Sequence, residues 1–371
     1  MTATSTLTVD LLSYSKNLEN IRGRLPSGCD IMAVVKADAY GLGAVPIAKR
    51  AIEVGVAMLG VASVAEGAEL REAGIEAPIL VMVQPRQDDL PIAVRDKLRL
   101  TLSDLQTAEW LGDVARKAKS VASVHCEIDT GMGRQGFAVE EASQGLSDVT
   151  RISNVDIEGI FTHFASADIA EDPFTENQIR SFRQLLKQLD KDGIPYEAAH
   201  AANSAAIFNY PQSYFDMVRA GLCSYGVWPG KRPDNVESLE RVVTWESSIV
   251  LIRDMPGGAS VSYGRTYRVP GPTKLAAVPV GYADGYRVAL SNRGDVLVRG
   301  QRCPVRGRVT MNEMMVDVTD VADAVVGDKV TLIGRDGTGE VTVEELAERA
   351  NTIPYEIITG IGAAVAREYR L

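Results

Sequence analysis

Residues 31–61 read IMAVVKADAYGLGAVPIAKRAIEVGVAMLGV. An apolar run, IMAVV at 31–35, is followed by a glycine-punctuated turn, an amphipathic segment at 44–54 and a second apolar run, VAMLGV at 56–61. A short apolar run without alternation suits a strand buried on both faces, and a helix of this length is the connection that parallel strands require. The stretch is therefore a βαβ unit. The same alternation continues with runs at 78–83, 98–102, 121–128, 156–161, 195–199 and 214–218. Helical stretches fall at 63–73, 103–118 and 174–192, with one more at 10–24 before the first run. Eight such strands in succession predict an α/β fold of the closed (β/α)8 TIM-type barrel rather than an open doubly wound sheet, which typically uses fewer strands.

After about residue 237 the texture changes to apolar segments broken by Gly and Pro turns: WESSIVLI, KLAAVPVG, DVLVRG, CPVRGRV and KVTLIG, with one convincing helix near 342–350. This predicts a barrel over 1–236 and a mostly β C-terminal domain over 237–371. A chain of 371 residues, 46% hydrophobic and 24% charged, exceeds the length at which single cores stop growing, which agrees with two domains. The net charge of −10, with both signs interspersed, argues against nucleic acid or an anionic membrane as partner. Cys29, Cys126, Cys223 and Cys303 lack C-x-x-C spacing and are expected to be reduced. The first residues carry no signal-peptide pattern, and no stretch approaches the roughly 20 apolar residues of a membrane span. A cytoplasmic protein is expected. Three histidines, none at ligand spacing, make a catalytic metal unexpected.

In a barrel of this kind the strand C-termini form the active-site mouth. Lys36 ends the first strand, Arg134 lies in the loop after the fifth, His163 ends the sixth, Asn203 and Ser204 follow the seventh, and Arg219 ends the eighth. A lysine at a strand end is ordinarily a solvated tip. Lys36, however, emerges from the buried run AVV, where desolvation would lower its pKa and make a neutral, nucleophilic amine available. DTG at 129–131 mimics an aspartic-protease triplet, but a second copy and a β-rich N-terminal half are missing.

The blocks AVVKADAYGLGA, EIDTGMGRQGF, FTHFASAD, HAANSAA, MVRAGLCSYG, VSYGRTY, VPVGYADGYR and NTIPYEI, in that order from residue 33 to 357, closely resemble the alanine racemase family. The resemblance implies a pyridoxal 5'-phosphate (PLP) isomerase that interconverts L- and D-alanine, with serine or other small amino acids as further substrates. It is implied to act as a homodimer with shared active sites, supplying D-alanine for cell-wall synthesis. It assigns Lys36 to the covalent link with PLP and Tyr263, reaching in from the partner subunit, to the second acid/base. Two bases on opposite faces are what racemisation demands, because a proton leaves one side of a planar intermediate and returns on the other. Arg219 is placed on the pyridine nitrogen, with His163 and His200 as polar links beside it. Tyr40, Asn203, Ser204, the backbone of Gly221 and Leu222, and Tyr355 are placed around the cofactor and its phosphate. Arg134 and the backbone at Met311 are implied to bind the substrate carboxylate, and Tyr282 to line the entry.

Two positions depart from the family pattern. Glu127 stands where most relatives carry a carbamylated lysine that orients the arginine, and the usual Met-Asp pair is here Met311-Asn312, followed by Glu313 in place of glutamine. Alternation along VASVHCEID turns Glu127 into the barrel, with Arg134 as its expected partner. Two other readings compete. A PLP-dependent amino-acid decarboxylase of the same architecture would share the lysine but normally place a carboxylate on the pyridine nitrogen and lack the VSYGRTY tyrosine. A non-catalytic PLP-binding protein would not need the second domain.

Overall fold

A computed structural model describes residues 4–230 and 239–371. The chain opens with strand β1 (Ser5–Asp10), then β2 (Asp30–Val34), β3 (Met58–Val61), β4 (Ile79–Val81), β5 (Arg99–Leu102), β6 (Ala122–Asp129), the short β7 (Phe137–Ala138), β8 (Val155–Phe161), β9 (Ala198–His200) and β10 (Met217–Ala220). Parallel pairing runs β5-β4-β3-β2-β10-β9-β8-β6, and a β5–β6 ladder closes the ring. The fold is thus a closed eight-stranded parallel barrel with helices between the strands, among them Ala44–Glu53, Val64–Glu72, Leu105–Lys117 and Pro173–Asp192. Two further connecting helices, Leu90–Arg95 and Val139–Val149, escaped the sequence pattern.

Period-two alternation sorts the barrel interior into layers. Met32, Met58, Leu80 and Met217 pack together as one apolar cluster. Two residues further along, the inward set is mixed, with an arginine and a glycine beside apolar side chains. Arg219 follows Met217, Val34 follows Met32 and Gly60 follows Met58, with the Met32 and Met82 sulfurs against the Gly60 backbone. The barrel floor is therefore a methionine-rich plug, and the chemistry sits on top of it.

The second sheet is largely antiparallel and built from the C-terminal part, with strands Val243–Ser248, Leu251–Met255, Thr273–Val278, Asp295–Val298, Gln301–Arg306, Met314–Asp317, Lys329–Asp336 and Ala366–Arg370. The segment WESSIVLI splits into two strands at Ile249–Val250 rather than forming one. β1 belongs to this sheet, antiparallel to Val243–Ser248 and parallel to Ala366–Arg370. The N-terminus is thus stitched into the β-rich part before the chain enters the barrel. The expected boundary at 236/237 lies outside the described residues.

Two expectations need correction. The seventh and eighth barrel strands begin three residues later than the runs 195–199 and 214–218, so Arg219 sits within its strand, not at its end. The inward-facing polar residues His200 and Arg219 interrupt the apolar pattern, which draws a reader to the apolar residues upstream. A second helix, Pro354–Thr359, follows the expected one at Val343–Ala350. Among the described residues no helix is long and apolar enough to cross a membrane.

Candidate active site

Lys36 follows β2 by two residues and opens an unusual turn. Ala37, Asp38, Ala39 and Tyr40 have φ of 53°, 53°, 52° and 59°, a full turn of left-handed helix without a glycine. Left-handed conformation costs an L-residue about 1–2 kcal/mol, so the turn exists only because surrounding structure holds it. The Ala39 N–H donates to Val35 O at 2.8 Å, Gly43 N–H to Asp38 O at 2.9 Å, and Ala44 N–H to Asp38 Oδ1 at 2.7 Å. The result puts Lys36 and Tyr40 into one cavity of about 560 Å³ at the C-terminal mouth of the barrel. Burial pushes the Lys36 amine below its ordinary pKa; Arg134 and Arg219 push it the same way, and Glu66 opposes them.

Arg219, 2% exposed, organises all three histidines of the chain. Its Nη1 donates to His200 Nδ1 at 2.8 Å, and its Nη2 to His163 Nδ1 at 3.0 Å and to the carbonyls of Thr162 and Ala201 at 2.9 Å. Guanidinium can only donate, so the tautomers follow in order. His200 carries its proton on Nε2 and donates to His125 Nδ1 at 2.8 Å, leaving the His125 proton on Nε2. Burial pushes all three imidazoles down, His125 to about 3, and Arg219 reinforces the effect, so they are neutral at pH 7. Arg219 itself is lowered by burial only to about 10, partly because Glu127 compensates, and stays charged. The Phe161 ring lies 5.4 Å from its guanidinium carbon and stacks on His200. Arg219 Nε is buried and, among the described residues, has no partner. A buried charged donor without an acceptor is costly, so this nitrogen awaits one from the cavity.

The opposite wall is a cradle. Gly221 N–H donates to Ser204 Oγ at 3.1 Å. A Cβ on Gly221 would stand 2.5 Å from Tyr40 Oη and 3.4 Å from Ser204 Oγ, so only glycine leaves this corner free. Asn203 Oδ1 accepts the Ala206 N–H at 3.1 Å, at the start of the short helix Ala206–Asn209, and Asn203 also lines the cavity. Leu222 is fully buried behind Gly221. Tyr355, on the helix Pro354–Thr359, enters from the second domain of the same chain, its ring 6.3 Å from that of Tyr40. A partnerless guanidinium N–H at one end and hydroxyls around a glycine corner at the other suit a flat heteroaromatic phosphate ester.

Arg134 lines the mouth of the cavity and is exposed. Glu127 faces into the barrel, 2% exposed, as alternation predicts, but Arg134 is not its partner. The Gln135 amide donates to Glu127 and, at 3.0 Å, to the Met82 carbonyl. After the DTGMG turn it is Gln135, not Arg134, that returns toward the strand. Burial pushes the Glu127 carboxyl up, against the lowering effect of Gln135, Arg219 and Arg134.

Four expected site residues lie on the surface, apart from this cavity. Tyr263, Tyr282 and Met311 are 70%, 44% and 54% exposed, and Asn312 is also exposed. Tyr263 lines a separate concavity of about 390 Å³ with Ser262, Arg308 and Glu313. Within one chain, then, the lysine and the tyrosine occupy different sites. Sequence reasoning gave no role to His125 or Gln135. The inward register shared with Glu127 could have flagged His125, whose ring fills the space where any side chain at Gly159 would lie, 2.3 Å from its Nδ1.

The family profile described as alanine racemase, N-terminal domain, matches residues 9–229, and that for the C-terminal domain matches residues 242–369. The alanine racemase of Halothermothrix orenii is 43% identical over 98% of this chain and 96% of its own length, and that of Symbiobacterium thermophilum 42% over 97% and 96%. Among solved structures, the alanine racemase of Clostridium difficile superposes with a TM-score of 0.94 at 36% identity, covering 100% of this chain and 96% of its own. The alanine racemase of Bartonella henselae, solved with covalently bound pyridoxal phosphate, superposes with a TM-score of 0.90 at 30% identity over 100% of both chains. With both family profiles matched across the chain and these relatives aligned over nearly all of it, the chain belongs to the alanine racemase family.

Proposed function

We propose that this chain interconverts L- and D-alanine with PLP held in the cavity between Arg219 and the Tyr40–Ser204–Gly221 corner, and that Lys36 is the lysine to which the cofactor is joined. The observation that carries the reading is the pairing of a desolvated amine, Lys36, with a partnerless Arg219 Nε in one cavity. When bound, the cofactor supplies an electron sink that acidifies the α-hydrogen of the amino acid. The chain's own groups do the rest. Burial keeps a fraction of the Lys36 amine neutral, so it can accept and return a proton. Arg219 stays protonated and would offer its Nε–H to an acceptor nitrogen of the cofactor, which would then remain unprotonated; that would limit electron withdrawal and discourage side reactions. Arg134 at the mouth is placed to bind the substrate carboxylate.

The second acid/base is Tyr263 of another copy of the chain. An exposed tyrosine on a face with Met311 and Tyr282 has no access to its own Lys36, whereas a C₂ pair can offer each lysine the other's tyrosine. The unit that works is therefore a homodimer with shared sites. Asn312 on the same face removes an acidic group relative to the family pattern, which favours a range that includes serine. Four free cysteines, three of them buried, agree with a reducing, cytoplasmic setting. Arg219 in place of a carboxylate argues against the decarboxylase.

The test is Lys36→Ala. Borohydride trapping with peptide mapping should no longer find the cofactor on the chain, and neither enantiomer of alanine should be converted. A trapped cofactor on another lysine with racemisation intact would overturn the assignment, and loss of amino acid without inversion in the parent enzyme would favour decarboxylation.

A further inference from the structure

We propose that Glu66 is a positioning residue for Lys36: its carboxylate ties the backbone that opens the left-handed turn to the end of strand β3, and so fixes where the lysine amine enters the cavity. The proposal rests on the reading of Lys36 given above. Glu66 Oε1 accepts the Ala37 N–H at 3.0 Å, the first amide after the lysine, and Oε2 accepts the Ala62 N–H at 2.7 Å, the first amide after β3. Strands β2 and β3 are already paired through Ala33–Leu59 and Val34–Gly60, and Val35 N–H donates to Gly60 O at 2.8 Å. The carboxylate extends that ladder by one rung beyond the point where regular pairing stops. The Glu66 N–H donates to Ser63 Oγ, at the N-cap of the helix Val64–Glu72, at 3.2 Å, a backbone bond separate from the two contacts of the carboxylate.

The far end of the turn is gripped by the last strand of the second domain. The Arg367 guanidinium donates to Gly41 O at 3.0 and 3.2 Å, and the Tyr369 hydroxyl to Leu42 O at 3.0 Å. Four consecutive residues in a conformation that L-amino acids avoid would relax if either end were freed. At the lysine end, Glu66 is the side chain that holds the amide. Its two oxygens meet two N–H donors, a task no other residue of this length performs: glutamine would turn an NH₂ toward one of them. Glu66 is also the acidic group beside Lys36, opposite Arg134 and Arg219, and its charge raises the affinity of the lysine nitrogen for a proton.

The holoenzyme variants Glu66→Gln and Glu66→Asp test this, with Ser63→Ala as a control that weakens the helix start but leaves the carboxylate. In Glu66→Gln, kcat should fall about tenfold, the loss of one charge-assisted hydrogen bond, while KM for alanine stays within about twofold. The pH midpoint of the visible absorption change of the bound cofactor should move down. Glu66→Asp keeps the charge but not the reach, so its midpoint should stay while kcat still falls. It keeps the test open should the glutamine variant not fold. Ser63→Ala should lower the melting temperature and leave kcat and the midpoint unchanged. Parent-like kcat and midpoint in Glu66→Gln, or the same losses in Ser63→Ala, would overturn the proposal. Lys36→Ala run in parallel separates the two readings: if it still racemises, the lysine assignment fails, whatever Glu66 does.

Discussion

Mild acid should unfold this protein through its histidines before its carboxylates respond. His200 and His125 are 0% and 1% exposed, and they and the half-buried His163 are all held neutral well below the ordinary histidine range. In the unfolded chain they take up a proton near pH 6.5. Below that pH the unfolded state binds more protons than the native state, so stability is full above about 6.5 and falls as the pH falls. Well below pH 6.5 each group contributes a slope of about 1.4 kcal/mol per pH unit, and the three together about 4. A drop from pH 6.5 to 5, which begins with the unfolded imidazoles half protonated, therefore costs about 5 kcal/mol, a large share of the roughly 5–15 kcal/mol a domain has. Carboxylates held low by their partners, such as Asp96, Asp172 and Glu345, lose their contributions only as the pH falls through the usual carboxylate range and below, so the loss of stability from 6.5 to 5 belongs to the imidazoles, with Glu127, raised by burial, acting in the opposite sense. Urea unfolding followed by tryptophan fluorescence at fixed ionic strength and saturating cofactor measures the slope. His125→Gln, whose carbonyl still accepts from His200, should lower it by about a third. A flat profile from pH 7.5 to 5, or an unchanged slope in His125→Gln, would refute the neutral histidine chain.

Other expectations follow from single contacts. Gly221→Ala places a methyl 2.5 Å from Tyr40 Oη, so the hydroxyl must leave the corner; PLP affinity should fall about 10–100-fold in an equilibrium titration, and unchanged affinity would mean the phosphate lies elsewhere. Glu127 has a raised pKa through burial, so its charge destabilises the fold above the carboxylate range and the penalty fades as it protonates on acidification. Glu127→Gln should melt higher than the parent at pH 8 and alike at pH 4, with KM for alanine unchanged because Arg134 is not its partner; a raised KM would restore that pairing. Asn312→Asp adds a negative charge beside Met311 and should shift the alanine-to-serine ratio of kcat/KM toward alanine; an unmoved ratio would remove Asn312 from specificity.

The barrel was legible because its strands are buried on both faces and hence apolar throughout, and misreading set in where that condition failed. At β9 and β10 the inward positions hold His200 and Arg219, so the polar strand looked like its own flank. The turn at Ala37–Tyr40 was not legible at all: ADAY has no glycine, and local propensity would fold it right-handed, so its conformation is imposed by Glu66 and by Arg367, some 330 residues away. β1 was missed for the same reason, since its partners are remote. Most of the Lys36 cavity was readable from strand ends together with the family blocks. The partner of Glu127 was not, because a turn of glycines decides whether Arg134 or Gln135 swings back, and alternation along a strand says nothing about the loop beyond it.

The most direct test of the shared site is to mix Lys36→Ala with Tyr263→Ala chains under conditions of proven subunit exchange. Random pairing makes half the dimers mixed, and each mixed dimer has one site with both residues intact, so alanine racemisation should return to about a quarter of the parent value from two inactive parents. No recovery despite exchange would show that Lys36 and Tyr263 act within one chain, or not together at all.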